Sequence, residues 1–164
     1  MIINVNSIKK VETEINEDIV FSKETYVCSY PAKEIKSCHA KAVVSKFNDF
    51  IEVVLYVDAV VRVVSSYTLN EFDYKMHTSE EYHFGTVRED ENSDITLYKG
   101  NEIKLDEYIF MLICASLPMV LVAPGEKLPK GGNGVRVLTE KELAEEQENE
   151  VDPRFSKLDE LDID

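Results

Sequence analysis

Polar residues within one apolar stretch form the best candidate set for catalysis. The stretch from Phe50 to Ser65 contains Glu52, Asp58 and Arg62 among many aliphatic residues. Carboxylates gathered at one cleft could bind Mg²⁺ or act as general base and acid, as enzymatic hydrolysis requires. The simpler interpretation, which we prefer, is that these residues are the polar edge of a half-covered sheet face.

The three histidines offer no converging set. His77 and His83 are six residues apart, so in a straight strand they share a face but lie about 20 Å apart. Cys38 and His39 are neighbours, so their side chains would point to opposite faces of a strand. No spacing in the chain resembles a zinc site. We therefore interpret the histidines as surface or strand-packing residues, and we predict no catalytic residue, no metal and no cofactor.

The cysteines do not indicate nucleophilic catalysis either. Cys114 lies in a strongly apolar run, where burial raises a thiol pKa and leaves the group inert. Nothing marks Cys28 or Cys38 as activated. An odd number of cysteines without regular spacing indicates a reducing compartment. The chain has no recognisable signal peptide and no apolar run long enough to cross a bilayer, so we predict a cytoplasmic protein without membrane contact.

Acidic residues dominate the composition. The chain has 32 Asp and Glu residues against 18 Lys and Arg residues, a net charge of −14. Residues 139–164 hold 11 of the acidic residues and three of the basic ones, so the tail carries more than half of the imbalance. Negative charge repels the phosphate backbone of nucleic acids. We therefore expect no binding to DNA and at most indirect contact with RNA, whereas a basic protein would be attracted. Alternatively, the acidity only confers solubility.

Strands must position most of these residues. Two β-rich runs, Ser37–Phe47 and Phe50–Ser65, flank Asn48-Asp49, a pair suited to a tight hairpin turn. The second run has one wholly apolar face and one mixed face, which is typical of a central strand. Its length predicts a bend or bulge near Asp58-Ala59. A further strand is predicted over Glu71–Phe84.

One helix is predicted over about residues 106–116. Asp106 is the expected N-cap and Pro118 the stop. The residues between them are apolar nearly all round, so we expect the helix to pack on the sheet and to be buried on most sides. Before it, two short strands around Lys99-Gly100-Asn101 are predicted to form a small hairpin.

These elements predict an α+β fold. It would be an antiparallel, strongly bent β-sheet or partial barrel with one buried helix and a C-terminal acidic helix. Thr139 and Glu142 fit a capping box that starts the acidic helix, which ends near Asn149. We assign residues 1–138 to a single α+β domain and residues 139–164 to the acidic helix and tail.

The tail contains a string suited to docking, Val151-Asp152-Pro153-Arg154-Phe155-Ser156-Lys157-Leu158. An aspartate before a proline favours an extended or turn conformation and ends the preceding helix. Arg154 could make charge-assisted bonds to a carboxylate or phosphate, and Phe155 could anchor in an apolar pocket. We therefore take Asp152, Pro153, Arg154 and Phe155 as candidate partner-docking residues. The alternative is that the tail folds back on its own sheet, with Phe155 in the core.

The order of several segments is similar to that of a known family. The hairpin Tyr98–Leu105, the helix ending in Ser116-Leu117-Pro118, Gly132-Asn133-Gly134-Val135 and the Val-Asp-Pro-Arg-Phe string follow one another. This order resembles the YceD family, the large ribosomal RNA subunit accumulation proteins, in the form found in low-GC Gram-positive bacteria. The resemblance extends over about residues 35–160, and the tail string is its most specific part.

The resemblance implies a role in the accumulation of 23S ribosomal RNA and in assembly of the large ribosomal subunit, without an established enzymatic activity. Together with the acidic charge, it leads us to expect a non-catalytic factor that contacts a large-subunit ribosomal protein or an assembly factor. The alternative is an enzyme that acts on precursor ribosomal RNA, such as a Mg-dependent nuclease, with Asp58, Glu52 and Arg62 as its site.

The chain departs from its relatives in one place. Many of them carry Cys-x-x-Cys-Gly at the end of the long central strand, where this chain has Ser65-Ser66-Tyr67-Thr68-Leu69. Hydroxyl residues replace both cysteines. A family function that this chain retains therefore cannot depend on a metal or redox role of those cysteines.

Overall fold

The computed structural model describes residues 1–8, 12–47, 50–87, 94–128, 137–138 and 140–149. The chain divides into two compact units, Met1–Ala123 and Pro124–Asp164. The boundary expected between residues 138 and 139 stays a prediction. Within the described residues, no helix is long and apolar enough to cross a membrane.

Strands account for more of the described structure than helices do. The strands are β1 (Ile2–Asn4), β2 (Thr13–Asp18), β3 (Ala32–Lys46), β4 (Phe50–Val64), β5 (Glu71–Gly85), β6 (Ile95–Leu97) and β7 (Glu102–Lys104). The helices are α1 (Asp106–Ala115) and α2 (Glu140–Asn149). The predicted strands over residues 37–47, 50–65 and 71–84 and the predicted helix over residues 106–116 are thereby confirmed, with small shifts at their ends.

The strands form one open sheet and one small ribbon. The five-stranded sheet has the order β2-β3-β4-β5-β6, and among the described strands β1 pairs only with β7. All pairs are antiparallel except β5 with β6. The sheet is bent but does not close into a barrel. The small hairpin predicted around Lys99-Gly100-Asn101 is wrong, because β6 and β7 pair with different strands.

The irregularities of the sheet lie in β3. Its register against β4 shifts between Ala32 and Glu34 and again between Ile35 and Ser37. The pairing of β4 with β5 runs without interruption through Asp58 and Ala59, so no bulge lies there, and the alternative of a bend at this place stays a prediction. Strand β4 has a partner on both sides, and a bulge would disrupt two ladders at once. The bulged part of β3 pairs on one side only, because β2 reaches no further than His39, and bulges are common at such edges.

Alternation along β4 sets the position of the core. Val53, Leu55, Val57, Val61 and Val63 are buried in turn along one face, which we call the buried face of the sheet. The buried side of α1 belongs to the same core and consists of Ile109, Leu112 and Ile113. The opposite face of the sheet, which we call the open face, carries the polar residues of the same strands.

Helix α1 is buried on one side only. Met111 is 53% exposed, and Glu107 and Ala115 are also exposed. The expected burial on most sides is therefore wrong, because only the side that faces the sheet is fully buried, while the flanks are partly covered and the remaining side is exposed. The N-cap residue is Leu105 and makes no side-chain capping bond. The Asp106 carboxylate, which was expected to cap the helix, instead accepts a hydrogen bond from the amino group of Met1.

Aromatic residues hold α1 on both flanks. On the β5 side, Tyr108 packs edge-on against Tyr82 and Phe84, with ring centroids 5.3 and 5.2 Å apart. Elsewhere on the helix, Phe110 packs against Phe21 and Tyr26 at 5.7 and 5.1 Å. Such pairs add to the stabilisation that burial alone provides.

A turn held by serine hydroxyl groups follows β4. The Ser65 hydroxyl accepts hydrogen bonds from the backbone N–H of Tyr67 at 3.2 Å and of Thr68 at 3.5 Å. The Ser66 N–H donates to the carbonyl of Leu121 at 2.7 Å. Leu69 has a positive φ of 61°, a conformation that favours glycine.

In the second unit, α2 is described from Glu140 to Asn149, and side chains 142–146 are exposed. This agrees with the predicted acidic helix. Thr139 of the predicted capping box lies outside the described residues. So do Asp152, Pro153, Arg154 and Phe155, and their docking role stays a prediction.

Candidate interaction face of the sheet

Charged and polar side chains form rows across the open face. In one row, four residues stand in register on adjacent strands: Asp18 opposite His39, His39 opposite Asp58, and Asp58 opposite His77. His39 Nδ1 lies 2.7 Å from Asp18 Oδ1, and His77 Nδ1 lies 2.7 Å from Asp58 Oδ1. Cross-strand pairs at this spacing interact directly, so each imidazole is oriented by a carboxylate.

Cations on the open face are also paired with carboxylates. Lys41 Nζ lies 3.0 Å from Glu14 Oε2. Asp73 accepts from two cations, with Arg62 Nε at 2.8 Å and Lys36 Nζ at 3.0 Å. These pairs are partly exposed, so each contributes little to stability. Their consequence is that much of the positive charge on this face is already compensated.

The structure does not bring the predicted catalytic set together. Glu52, Asp58 and Arg62 all lie on β4 and on its open face, but each contacts a different partner on β5. Asp58 contacts His77 and Arg62 contacts Asp73. Glu52 Oε2 lies 3.7 Å from His83 Nε2. Glu52 and Asp58 line one depression of the open face, whereas Arg62 lies outside it, so the three residues do not converge on one site.

The histidines behave partly as predicted. Cys38 is buried whereas His39 is exposed, so the prediction that these neighbours face opposite ways is confirmed. His77 and His83 share the open face, as their even spacing predicts. The sequence analysis missed that Asp58 stands between His39 and His77. Linear spacing could not reveal this, because three segments distant in sequence must first pair in the correct register.

A shallow depression lies over this part of the open face. Its volume is about 620 Å³. It is lined by Glu12, Glu14, Asn16, His39, Lys41, Val43, Ser45, Glu52, Val54, Tyr56, Asp58 and His77. Four of these residues are carboxylates and one is a lysine, so the lining is strongly acidic even though its floor contains apolar groups. Such a surface attracts cationic groups and repels phosphate.

The thiols are held in their protonated form. Burial, followed by the charges of Asp18 and Asp58, raises the pKa of Cys38 to about 11. Burial is also the main cause of the raised pKa of Cys28 and of Cys114. Cys114 is only partly buried, less than its apolar helix suggested. All three thiols therefore lack the thiolate that nucleophilic catalysis needs near neutral pH.

The uncovered side of α1 contributes to an apolar groove. The sequence did not predict this groove, because the helix was expected to be buried on most sides. The groove has a volume of about 480 Å³ and runs between the segment Val27–Ala32 and the helix. Phe110, Met111 and Leu117 line its helix side. An exposed apolar groove is typical of a surface for contact with another macromolecule.

Comparison with known proteins identifies the family. The family model described as Large ribosomal RNA subunit accumulation protein YceD matches residues 53–162, which is more than half of the chain. The match begins in β4 and includes β5, α1 and the residues of the Val-Asp-Pro-Arg-Phe string. No curated protein and no solved structure matches the chain. The sequence resemblance is thus confirmed, and the chain belongs to the YceD family of large ribosomal RNA subunit accumulation proteins.

Proposed function

We infer that this protein is a non-catalytic cytoplasmic factor that supports 23S ribosomal RNA accumulation during assembly of the large ribosomal subunit. It acts through protein contacts, and ribosomal RNA is affected indirectly. Its partner is a large-subunit ribosomal protein or an assembly factor with a surface rich in lysine and arginine. Membership of the YceD family supports the link to large-subunit ribosomal RNA, while the nature of the contact rests on the chemistry of the open face.

The observation that carries this proposal is the acidic depression of the open face. Four carboxylates against one lysine line it, and the whole chain has a net charge of −14. A protein that binds an RNA backbone needs uncompensated lysine and arginine side chains, whereas Lys41, Arg62 and Lys36 are each paired with a carboxylate. A lysine- or arginine-rich protein segment is the natural complement to this surface.

The tail supplies a second contact in this proposal. Asp152, Pro153, Arg154 and Phe155 combine a proline, a cation and an aromatic side chain, which is the composition of a short docking segment. They follow the acidic helix α2, whose charge would favour the same basic partner. The tail and the open face are therefore proposed to recognise one class of ligand, a basic protein.

Affinity capture from cell extract, with and without ribonuclease treatment, tests the mode of contact. We expect large-subunit proteins or assembly factors to remain bound after the RNA has been digested. Capture of 23S RNA alone, or loss of every large-subunit protein after digestion, would contradict the proposal. In cells that lack the protein, we also expect the amount of 23S RNA to fall relative to 16S RNA.

A charge-neutralised variant tests the open face itself. The triple substitution Glu12→Gln, Glu14→Gln and Asp58→Asn removes three of the carboxylates that line the depression. Exposed charge pairs contribute up to about 1 kcal/mol each, so the affinity for the captured partner should fall by roughly tenfold at low salt. Circular dichroism would show whether the variant is folded.

A matched variant controls for the overall charge. Glu24→Gln, Glu102→Gln and Glu107→Gln remove the same three charges from exposed positions in a turn, in β7 and in α1. None of these residues lies on a strand of the five-stranded sheet. We expect this variant to bind like the wild type. Equal losses in the two variants would mean that net charge, and not the open face, governs the contact.

A second candidate function is an enzyme that acts on precursor ribosomal RNA, and one observation favours it. His39 and His77 flank Asp58 on adjacent strands, and each is oriented through Nδ1, so the Nε2 atoms could accept or donate protons. Because adjacent strands are about 4.8 Å apart, the two backbones are separated by about 10 Å. We rank this function second because the surrounding carboxylates repel an RNA substrate.

Incubation with precursor ribosomal RNA separates the two functions. We expect no specific cleavage, with or without Mg²⁺. Cleavage by the wild type that is abolished in Asp58→Ala would overturn the non-catalytic proposal. If His39→Ala also abolished cleavage and Mg²⁺ were not required, the histidine row would be the active site.

A further inference from the structure

Three potential metal ligands meet at one end of the open face. Glu52 on β4 stands directly opposite His83 on β5, and Glu81 lies two residues before His83 on the same face. His83 Nε2 is 3.0 Å from Glu81 Oε1 and 3.7 Å from Glu52 Oε2. One ligand atom from each residue lies within 4.8 Å of the other two. In the part of the chain that the structure describes, this is the one group of three His, Cys, Asp or Glu residues whose ligand atoms lie within this distance of one another.

The separations between the ligand atoms suit a small divalent ion. With bonds of 2.0–2.2 Å to nitrogen and oxygen, a tetrahedral zinc ion places neighbouring donor atoms about 3.3–3.6 Å apart. The two contacts of His83 Nε2, at 3.0 and 3.7 Å, lie on either side of that range. The third pair, the Glu52 and Glu81 oxygens, lies within 4.8 Å, so side-chain adjustments that bring the three donor atoms to this spacing would admit an ion.

The surroundings of His83 limit its movement. The Phe50 ring meets the imidazole edge to face at a centroid distance of 5.1 Å, and Phe50 stacks on Phe47 at 4.8 Å. The side chains of Glu52 and His83 are only 28% and 32% exposed, whereas that of Glu81 is 54% exposed. Two ligands are thus held on rigid strands beside an apolar wall, while the third faces solvent, where a water molecule could complete the coordination.

We propose that Glu52, Glu81 and His83 form a binding site for a divalent transition-metal ion of the zinc class. An imidazole nitrogen with two carboxylate oxygens favours zinc-like ions over Mg²⁺ and Ca²⁺, which prefer oxygen ligands alone. Three protein ligands leave a fourth position for water, as in zinc sites that are not purely structural. The sequence predicted no metal because these residues have no regular linear spacing, and the site depends on the register between β4 and β5.

The other histidines on the open face provide matched controls. His39 and His77 each contact one carboxylate, Asp18 and Asp58 respectively, at 2.7 Å. His77 lies on the same strand and the same face as His83. If exposed histidines bound metal in general, replacing any of the three would weaken binding. In the proposed site, His83 is the only one of the three histidines that binds the ion.

Calorimetric titration of the tag-free full chain with zinc chloride tests the site, with Mg²⁺ and Ca²⁺ as comparison ions. We expect saturable binding of one zinc ion per chain, together with a rise in melting temperature, because binding to the folded state stabilises it. Glu81→Gln and His83→Ala should each weaken zinc binding by at least about tenfold. His77→Ala should leave it unchanged. His83→Gln serves as a second variant that retains more of the contact with Phe50 if His83→Ala does not fold.

The outcomes are distinct. Zinc binding that is lost with His83 and Glu81 but kept in His77→Ala supports the site. Absence of saturable zinc binding, equal affinity for Mg²⁺, or equal losses in the His77 and His83 variants would overturn it. None of these results depends on the proposed ribosomal role, because binding is measured on the isolated protein.

Discussion

Leu69 is the position at which one substitution should raise the stability of the protein. Among the described residues other than glycine, it alone has a positive φ, of 61°. The left-handed conformation costs an L-residue about 1–2 kcal/mol. The Leu69 side chain is 69% exposed, so its removal loses little burial. Leu69→Gly relieves the strain but adds about 0.5–1 kcal/mol of chain entropy to be lost on folding. We expect a net stabilisation of about 0.5–1 kcal/mol.

Urea unfolding measures this effect. With an m-value of about 2 kcal/mol per molar, the midpoint should rise by about 0.3–0.5 M. Leu69→Ala removes the same side chain but keeps a Cβ at positive φ, so its urea midpoint should be equal to or lower than that of the wild type. Asn70→Gly introduces glycine at the next residue, where φ is not positive, and should lower the stability by about 0.5–1 kcal/mol.

The two controls determine whether backbone strain is the cause. If Leu69→Ala were as stable as Leu69→Gly, or if Leu69→Gly lowered the midpoint, the reasoning from φ would be refuted.

Three further perturbations test other parts of the structure. Ile109→Ala should destabilise the protein by about 3 kcal/mol, since the Ile109 side chain is fully buried. Met111→Ala, on the uncovered side of the same helix, should change stability by less than about 0.5 kcal/mol. Thermal and urea unfolding measure both effects. The pKa of Cys38 in the folded protein is about 11, above the usual value of 9.0, so the thiol of the unfolded chain loses its proton first as the pH rises. The free energy of unfolding should therefore fall between pH 9 and 11, by roughly 1–2 kcal/mol more in the wild type than in Cys38→Ala. A fall of the same size in both proteins would contradict this. Truncation after Glu150 should leave the melting temperature unchanged and abolish association with large-subunit proteins, and a large drop in melting temperature would instead support packing of the tail on its own sheet.

The long strands could be predicted because their side chains alternate. Burial of every second residue from Val53 to Val63 requires a strand with one face in the core, and no helix satisfies that period. Pro118 likewise limits α1 at its end. These signals are local, so the sequence contains them in full. The composition of α1, by contrast, could not show that only its sheet side is covered, since that depends on how much of the rest of the chain reaches it.

The short strands and the candidate site could not be predicted in the same way. Strands β6 and β7 have three residues each, too few to display a pattern, and their partners are chosen by tertiary packing. The row of Asp18, His39 and their neighbours depends on three strand registers at once. Strand β2, which contributes Asp18, was not predicted at all. The polar residues of β4 were recognised as one face, but their partners on β5 were not.

The pairing of β1 with β7 has a consequence for the time course of folding. In the described residues, Ile2–Asn4 pair only with Glu102–Lys104, and the Val5 N–H donates to the carbonyl of Asn101. At synthesis rates of about 5–20 residues per second, β1 waits about 5–20 s for β7 to be synthesised. Contacts between residues so distant in sequence also slow folding. Strand β1 is therefore among the last strands to be fixed, because it cannot pair with β7 until Glu102–Lys104 have been made.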